Sequence, residues 1–537
     1  MSRNSKVILA KNIKLDKNYK SVLKYTESQM LELMLNSNNL VYQSNTCSFI
    51  REENKINIKA EYGTCIQANY IAFQNPDYSD KWFFGFIDNI RYLNNGVCEV
   101  YFTTDIFTTW FSYWSPKACF TIREHVEDDT IGLHTVPEGL ETGEYLSSEN
   151  SMLLYGNLLG TAVCVGVSQD LLAGNPVRVY NGVYSGLQYI ALEDSTDLDN
   201  FIQYYADKGA LDSIVSVFMI PESFLLGSGQ ITPQWQTIQV QTTVGTTTTT
   251  YTISCIEVPT SYGEFNLGTK ELTRPTQLGI GNNKYTPKNN KLLTSEYIYI
   301  LADNMCGSVA KYDYEYFNNP TNCIFQAYGA INAGCSIKVY PKNYKGVENN
   351  YSEGLTGAKL PVCGWSGDIY TNWLTQNGIN MELSFLSGVS NILTGDALKG
   401  ATDIVSTASQ AYPRSLAPRQ AQGNTNVGDI MFSIGNFTPM FYKMTIKKEF
   451  AEIIDNYFKR MGYKVNRIKV PNMQHRENFN FVQVGAEENL AYPNNYNNIG
   501  IPASALNQIN DMFRSGITLW NNHDNFGDYS VSNDIVS

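Results

Sequence analysis

Histidine is scarce, charge is thin, and no two cysteines stand at metal-binding spacing. These shortages exclude much. The four histidines of the 537-residue chain are His125, His134, His475 and His523. None has a second histidine at i+4, so a helical zinc site is excluded. Ten cysteines lie scattered from Cys47 to Cys363 without a C-x-x-C. At this length that is neither a disulfide framework nor a zinc pattern. Cys98, Cys119, Cys164 and Cys255 fall in strand-like runs and read as reduced core thiols made in a cytoplasm. No G-x-x-x-x-G-K or G-x-G-x-x-G occurs, and "GWSGD" at 364–368 misses a nucleophile elbow because its second glycine comes one residue early. No cofactor, metal or catalytic residue is expected. No apolar run reaches 18 residues, so no spanning helix is expected, and the run Val7–Ala10 is too short for a leader.

Charged residues make up 17% of the chain, below the usual ~25%, and the net charge is −12. Tight nucleic-acid binding needs the opposite sign. A surface that DNA only slides past is compatible with acidity, because repulsion prevents sticking. Asn, Thr, Ser, Gly and Tyr replace the missing charge, a composition compatible with large β proteins that pack against copies of themselves. The length suggests about three or four domains, and no 20–50-residue repeat is visible.

Several elements are legible. "WFFGFIDNIRYL" and "VCEVYFTTDIF" flank Asn94-Asn95-Gly96 and form a hairpin, with β character continuing through "TDIFTTWF". "ACFTIREHV" resumes as a strand after Pro116. Asp194 to Gly209 is a helix whose crowded acids cap its start; a calcium loop is the less favoured alternative. "TTVGTTTTTY" (242–251) is a hairpin turning at Gly245. Residues 295–340 are mostly strand. Phe450, Ile453, Ile454, Tyr457, Phe458 and Met461 form an apolar helix face ending at Gly462. "YKVNRIKV" follows as a strand, and a last helix runs from about Ser504 to Arg514. "REHVEDD" reads as a solvated strand end, with an acid–base or metal cluster as the alternative.

The window Ser387–Tyr412 differs from everything around it, being rich in small residues. As a helix, it sets Leu386, Val389, Leu393, Ala397, Gly400, Ile404, Ala408 and Ala411 on one narrow stripe. Gly388, Gly395 and Gly400 each weaken an isolated helix by about 1 kcal/mol. Three readings stay open: close self-packing, a segment that meets a bilayer, or a loop with no special task.

Longer strings carry a resemblance. They are "YIAFQNPDYSDKWFFGFIDNIRYL" (70–93), "TDIFTTWF" (104–111), "FTIREHVEDD" (120–129), "EGLETGEY" (138–145), "RMGYKVNRIKVPNMQHRENFNFVQ" (460–483), "SGITLWNN" (515–522) and "GDYSVSN" (527–533). In order and spacing they resemble the tail knob, or distal tail tube, proteins of the small protein-primed podophages (picoviruses) of Gram-positive bacteria. The resemblance is carried by about 1–150 and 430–537. It implies a mainly β fold with an α+β C-terminal part, in which β-barrel-like tail-tube domains with inserted loops and subdomains assemble into a hexameric tube.

The expected organisation is a β tube domain over 1–150, an inserted β-rich knob region over 151–300 and a lower-tube β region over 301–380. An insertion over 381–428 and a C-terminal α+β segment over 429–537 complete it. The resemblance also implies a structural virion protein, assembled in the host cytoplasm and placed at the tail tip. Its expected partners are five further copies, other tail and collar proteins, viral DNA crossing the lumen without specific binding, and transiently the host membrane. Leu386, Val389, Ile392, Leu393, Ala397, Ala401, Ile404, Val405 and Ala408 are the candidate plug or membrane-active residues. The insertion is short and charged in its middle, which departs from a long hydrophobic plug. Competing readings are a tail-tip receptor-binding protein for cell-wall glycans, using the Thr hairpin and abundant Tyr, and a cell-wall hydrolase using the acids of 124–129.

Overall fold

The computed structural model describes residues 5–50, 53–76, 81–152, 161–173, 179–180, 183–184, 188–225, 232–258, 263–264, 269–304, 307–329, 336–359, 365–366, 439–494, 496 and 499–536. These form a mainly β structure, and two of its helices, Lys448–Met461 and Ala503–Ser515, lie near the C-terminus. The chain divides into two compact units. The first gathers 1–143, 285–293 and 448–537; the second gathers 144–284 and 294–447.

The first unit opens with β1 (Ser5–Ala10), β2 (Ser21–Leu23), helix α1 (Glu27–Leu35), β3 (Leu40–Ile50), β4 (Lys55–Ile58), β5 (Tyr70–Gln74), β6 (Trp82–Asn94) and β7 (Val97–Thr104). Six of these strands close into a barrel in the order β1-β3-β4-β7-β6-β5. β1 explains how. Its side chains alternate, Val7 and Leu9 joining Ile56, Ile58, Ile71, Phe73, Val100 and Phe102 in one cluster. Ile8 and Ala10 face the other way and join Met30, Met34, Tyr70, Phe84, Phe479 and Trp520. Both faces are buried, so the run Val7–Ala10 is continuous rather than alternating. Closure also leaves no free sheet edge.

The β6–β7 hairpin forms as its turn residues require, with Asn94 opposite Val97 and Gly96 at φ 78°. The strand expected to continue through 105–111 does not. Asp105 ends it: its carboxylate accepts from Thr108 N (3.1 Å), Thr108 Oγ1 (2.8 Å) and Tyr70 Oη (2.7 Å), which caps a short helix Ile106–Trp110. Buried capping outweighed the β propensity of the surrounding Thr and Phe.

β8 (Cys119–Glu124) then joins elements from the far end of the chain: α2 (Lys448–Met461), β9 (Tyr463–Lys469), β10 (Phe479–Val484), α3 (Ala503–Ser515) and β11 (Ile517–Trp520). The resulting sheet runs β2-β11-β10-β8-β9, with β2 parallel to β11. The face of α2 differs from its sequence pattern. Ile453 is 67% exposed, whereas Ala451, Ile454, Phe458 and the acidic Asp455 are buried.

In the second unit, Tyr145–Met152, Met440–Ile446, Ile298–Asp303 and Val309–Tyr312 form a four-stranded sheet in that order. A six-stranded sheet carries the Thr hairpin, Gln236–Val244 paired with Thr247–Val258 around Gly245. The helix Ser195–Asp207 packs beside it. Asp194 caps that helix by accepting from Asp197 N (2.9 Å), and Asp197 accepts from Ser254 N (2.7 Å). Two of the crowded acids thus serve local structure. Cys47, Cys65, Cys98, Cys119, Cys164, Cys255 and Cys323 are free and buried. Among the described residues no helix is long and apolar enough to cross a membrane.

Candidate functional site

The nine insertion candidates, Leu386, Val389, Ile392, Leu393, Ala397, Ala401, Ile404, Val405 and Ala408, lie outside the described residues, as does all of 367–438. What the structure does assemble is a buried polar node in the first unit. It draws residues from three distant stretches, 119–138, 285–293 and 448–533.

"REHVEDD" sits at its centre, and the expectation of a solvated strand end is corrected for its first half. Glu124 is fully buried and His125 is 3% exposed, whereas Glu127 and Asp128 remain on the surface. Glu124 accepts from Lys469 Nζ and from Asn472 N, each at 2.6 Å. His125 Nδ1 accepts from Phe481 N (2.6 Å), so the ring proton sits on Nε2 and is donated to Lys459 O at 3.0 Å. Burial, and then the nearby Arg476 charge, hold His125 down at about 3. It is a neutral structural pin at physiological pH.

Glu138 is the second anchor. Its carboxylate has no exposed surface and takes the Arg123 guanidinium on one oxygen and the Lys291 ammonium on the other. The Lys464 amide donates a further bond at 2.8 Å. Arg123 also donates to Gly462 O at 2.8 Å. Gly462 occupies φ 65°, and a Cβ there would stand 2.0 Å from Glu124 O. The end of α2 therefore needs glycine for both conformation and close approach.

The returning segment 285–293 is fastened by two acids. Buried Asp455 accepts from Tyr285 Oη (2.6 Å), Lys288 N (2.8 Å), Asn289 N (3.0 Å) and Asn289 Nδ2 (2.7 Å). Asp129 accepts from Asn290 N (3.0 Å) and Tyr463 Oη (2.6 Å). Arg476 closes the node by donating to Val126 O (2.7 Å) and Asn533 O (3.2 Å).

Chemically, this arrangement holds shape. The carboxylates of Glu124, Asp129, Glu138 and Asp455 are all occupied by donors from the chain itself. A cleft of about 770 Å³ adjoins the node, walled by Arg123 over Tyr457 (4.9 Å) and Arg460 over Tyr529 (4.6 Å). Of its lining residues only Asp511 carries a carboxylate, whereas glycoside hydrolysis takes a pair. Among the described residues no cluster of three His, Cys, Asp or Glu is placed to hold a metal.

Four of the seven strings that carried the family resemblance, 120–129, 138–145, 460–483 and 527–533, fold into this node. Arg123, Glu124, His125, Asp129, Glu138, Gly462, Tyr463, Asn472, Arg476, Phe481 and Asn533 all come from them. Comparison with known proteins agrees. A family model for the C-terminal domain of the tail knob protein gp9 of Bacillus phage phi29 matches residues 261–534, just over half of the chain. The chain belongs to this tail knob family. A second model, the N-terminus of caudoviral major tail proteins, matches residues 3–115, the stretch that builds the closed barrel.

Against the tail knob protein gp9 of Bacillus phage phi29 the chain is 24% identical, with 96% of each protein covered. Against gp9 of Bacillus phage B103 it is also 24% identical, covering 98% of this chain and 97% of that protein. Among solved structures it is similar to the tail knob protein gp12 of bacteriophage C1, at 15% identity and a TM-score of 0.57, over 99% of this chain and 100% of that one. At that identity the likeness speaks for the fold. The tail knob chain is thus a structural component of a phage tail, and its place is the virion.

Proposed function

We propose that six copies of this tail knob chain form the distal tube of a short phage tail, a conduit through which the genome leaves the virion. The observation that carries this is the closed six-stranded barrel, built by the residues that match the caudoviral tail protein N-terminus. The acidic balance supports passage of DNA without specific binding. In this reading, 1–150 forms the tube domain, completed by 429–537. Residues 151–300 supply the knob region and 301–380 the lower tube. Collar and other tail proteins seat the tube, and the chain is not an enzyme.

The insertion over 381–428 plugs the tube end before infection and afterwards helps to breach the membrane, with Leu386, Val389, Ile392, Leu393, Ala397, Ala401, Ile404, Val405 and Ala408 as its apolar contacts. Six weak segments act together, because buried area adds across copies.

Light scattering with negative-stain imaging of the full-length protein tests the conduit. A sixfold ring with a central channel is expected, and a particle of another symmetry without a channel would contradict it. The insertion is tested by deleting 388–411 and measuring dye release from liposomes. Release is expected to fall; unchanged release would remove the membrane role.

A further inference from the structure

The second unit contains buried charges in a different condition. Segment 313–318 carries the chain from the strand Val309–Tyr312, in the four-stranded sheet, to the strand Cys323–Gly329 in the neighbouring sheet. It is tied to Ser336–Tyr344 and the turn after it. Tyr344 Oη accepts from Asp313 N (3.3 Å), Asn343 O from Asn318 N (3.0 Å) and Tyr316 O from Lys345 N (2.8 Å). Aromatic rings fill the joint: Tyr312 to Phe325 (5.0 Å), Phe317 to Tyr344 (4.7 Å) and Phe325 to Phe441 (4.6 Å).

Three charged side chains enter this apolar setting. Arg274 Nη1, Asp313 Oδ1 and both carboxylate oxygens of Glu315 are buried and make no hydrogen bond to another of the described residues. The half-exposed Lys311 ammonium stands 3.4 Å from Asp313 Oδ1. A carboxylate that gives up water without gaining donors is unstable when ionised. The Asp313 charge, two residues away, adds to that instability for Glu315.

We propose that Glu315 is a proton-operated latch: one proton held on its carboxyl group keeps the joint between the two sheets closed, and its loss loosens the joint. The charged and titratable groups around it fit this role. Burial first, and then the Asp313 charge, push Glu315 up to about 7, with its own backbone amide and the Arg274 and Lys311 charges pulling the other way. Cys323 on the adjoining strand is pushed up to about 12 by burial, and burial also raises the Tyr312 and Tyr344 phenols. These three stay neutral at physiological pH. Lys443, on Met440–Ile446, is a cation facing Cys323. Glu315 is therefore the group that changes charge near neutrality. Its value in the fold lies above the ordinary 4.5 of a free glutamate. The latch is thus fully closed at pH below about 4.5 and loosens as pH rises through about 7.

The test uses the full-length chain and the isosteric E315Q variant. Thermal unfolding and hydrogen exchange of amides 309–329 are followed from pH 4 to 8.5, with exchange corrected for intrinsic rates. The two proteins are expected to agree at pH 4 and to diverge as pH rises toward 7. At pH 8.5 the variant should be the more stable, its joint amides exchanging on the order of 10²-fold more slowly. Equal behaviour at every pH would overturn the proposal. R274M provides a second reading, because loss of the opposing cation should move the wild-type transition to higher pH. A transition that stays in place would also overturn it.

Discussion

Two regions of the chain bury charge, and they do so in opposite ways. In the node of the first unit, Glu124, Glu138 and Asp455 are buried with each carboxylate oxygen met by a donor. At the joint of the second unit, both carboxylate oxygens of the partly buried Glu315 are shut off from solvent, and neither is met by another described residue. A satisfied buried charge costs much to break and holds one geometry. An unsatisfied one is a store of instability that a proton can release. The difference implies a rigid frame around the barrel and, in the second unit, a joint able to respond to its surroundings.

The comparison breaks most visibly at Glu138. Glu138→Ala would strand the Arg123 and Lys291 cations in the interior, at an expected cost of about 3–5 kcal/mol in denaturant unfolding. A loss under 1 kcal/mol would mean that the node is not rigid in the sense argued.

Acid supplies the next largest effect. His125 stands at about 3 in the fold against an ordinary 6.5. Its contribution is therefore complete above pH 6.5 and is lost as pH falls toward 3, by about 1.4 kcal/mol per pH unit, or roughly 3 kcal/mol at pH 4. His125→Gln should flatten that part of the acid limb; an unchanged limb would show that the ring titrates freely.

Gly462→Ala comes third. Its positive φ costs about 1–2 kcal/mol, and the contact with Glu124 O adds to it, so a loss of about 2 kcal/mol or more is expected in thermal unfolding. The smallest effect belongs to the Thr hairpin. Thr248, whose exposed hydroxyl meets Thr243 Oγ1 at 3.1 Å, should tolerate alanine within about 0.5 kcal/mol. A larger loss would mark the hairpin as more than an exposed ladder.

The elements legible in the sequence are those whose signals are local. Asn94-Asn95-Gly96 specifies its turn within three residues, Asp194 caps a helix that begins beside it, and Gly462 and Gly516 stop helices at the residue concerned. The node escaped because its partners are remote. Glu138 meets Lys291 across 153 positions, and Glu124 meets Asn472 across 348. Read alone, "REHVEDD" is a run of charges that belongs in water. Only the packing of β8 against β9 and β10 shows that half of it is interior. Asp455 misleads likewise, as an acid on the buried face of a helix whose exposed Ile453 suggests the opposite orientation. The joint at Glu315 left no local mark at all, since "DYEYF" alternates as any half-buried stretch does. The long strings shared with the tail knob family pointed to the right relatives before their residues could be placed, because shared strings record distant pairings that composition cannot.

The most direct test of the conduit is a reconstruction of the tail tip in the intact virion. Six copies of this chain around one continuous axial channel, with the barrels of residues 5–104 forming a ring in its wall, is the predicted result. Copies placed on appendages away from the axis, beside a tube built by another protein, would contradict it.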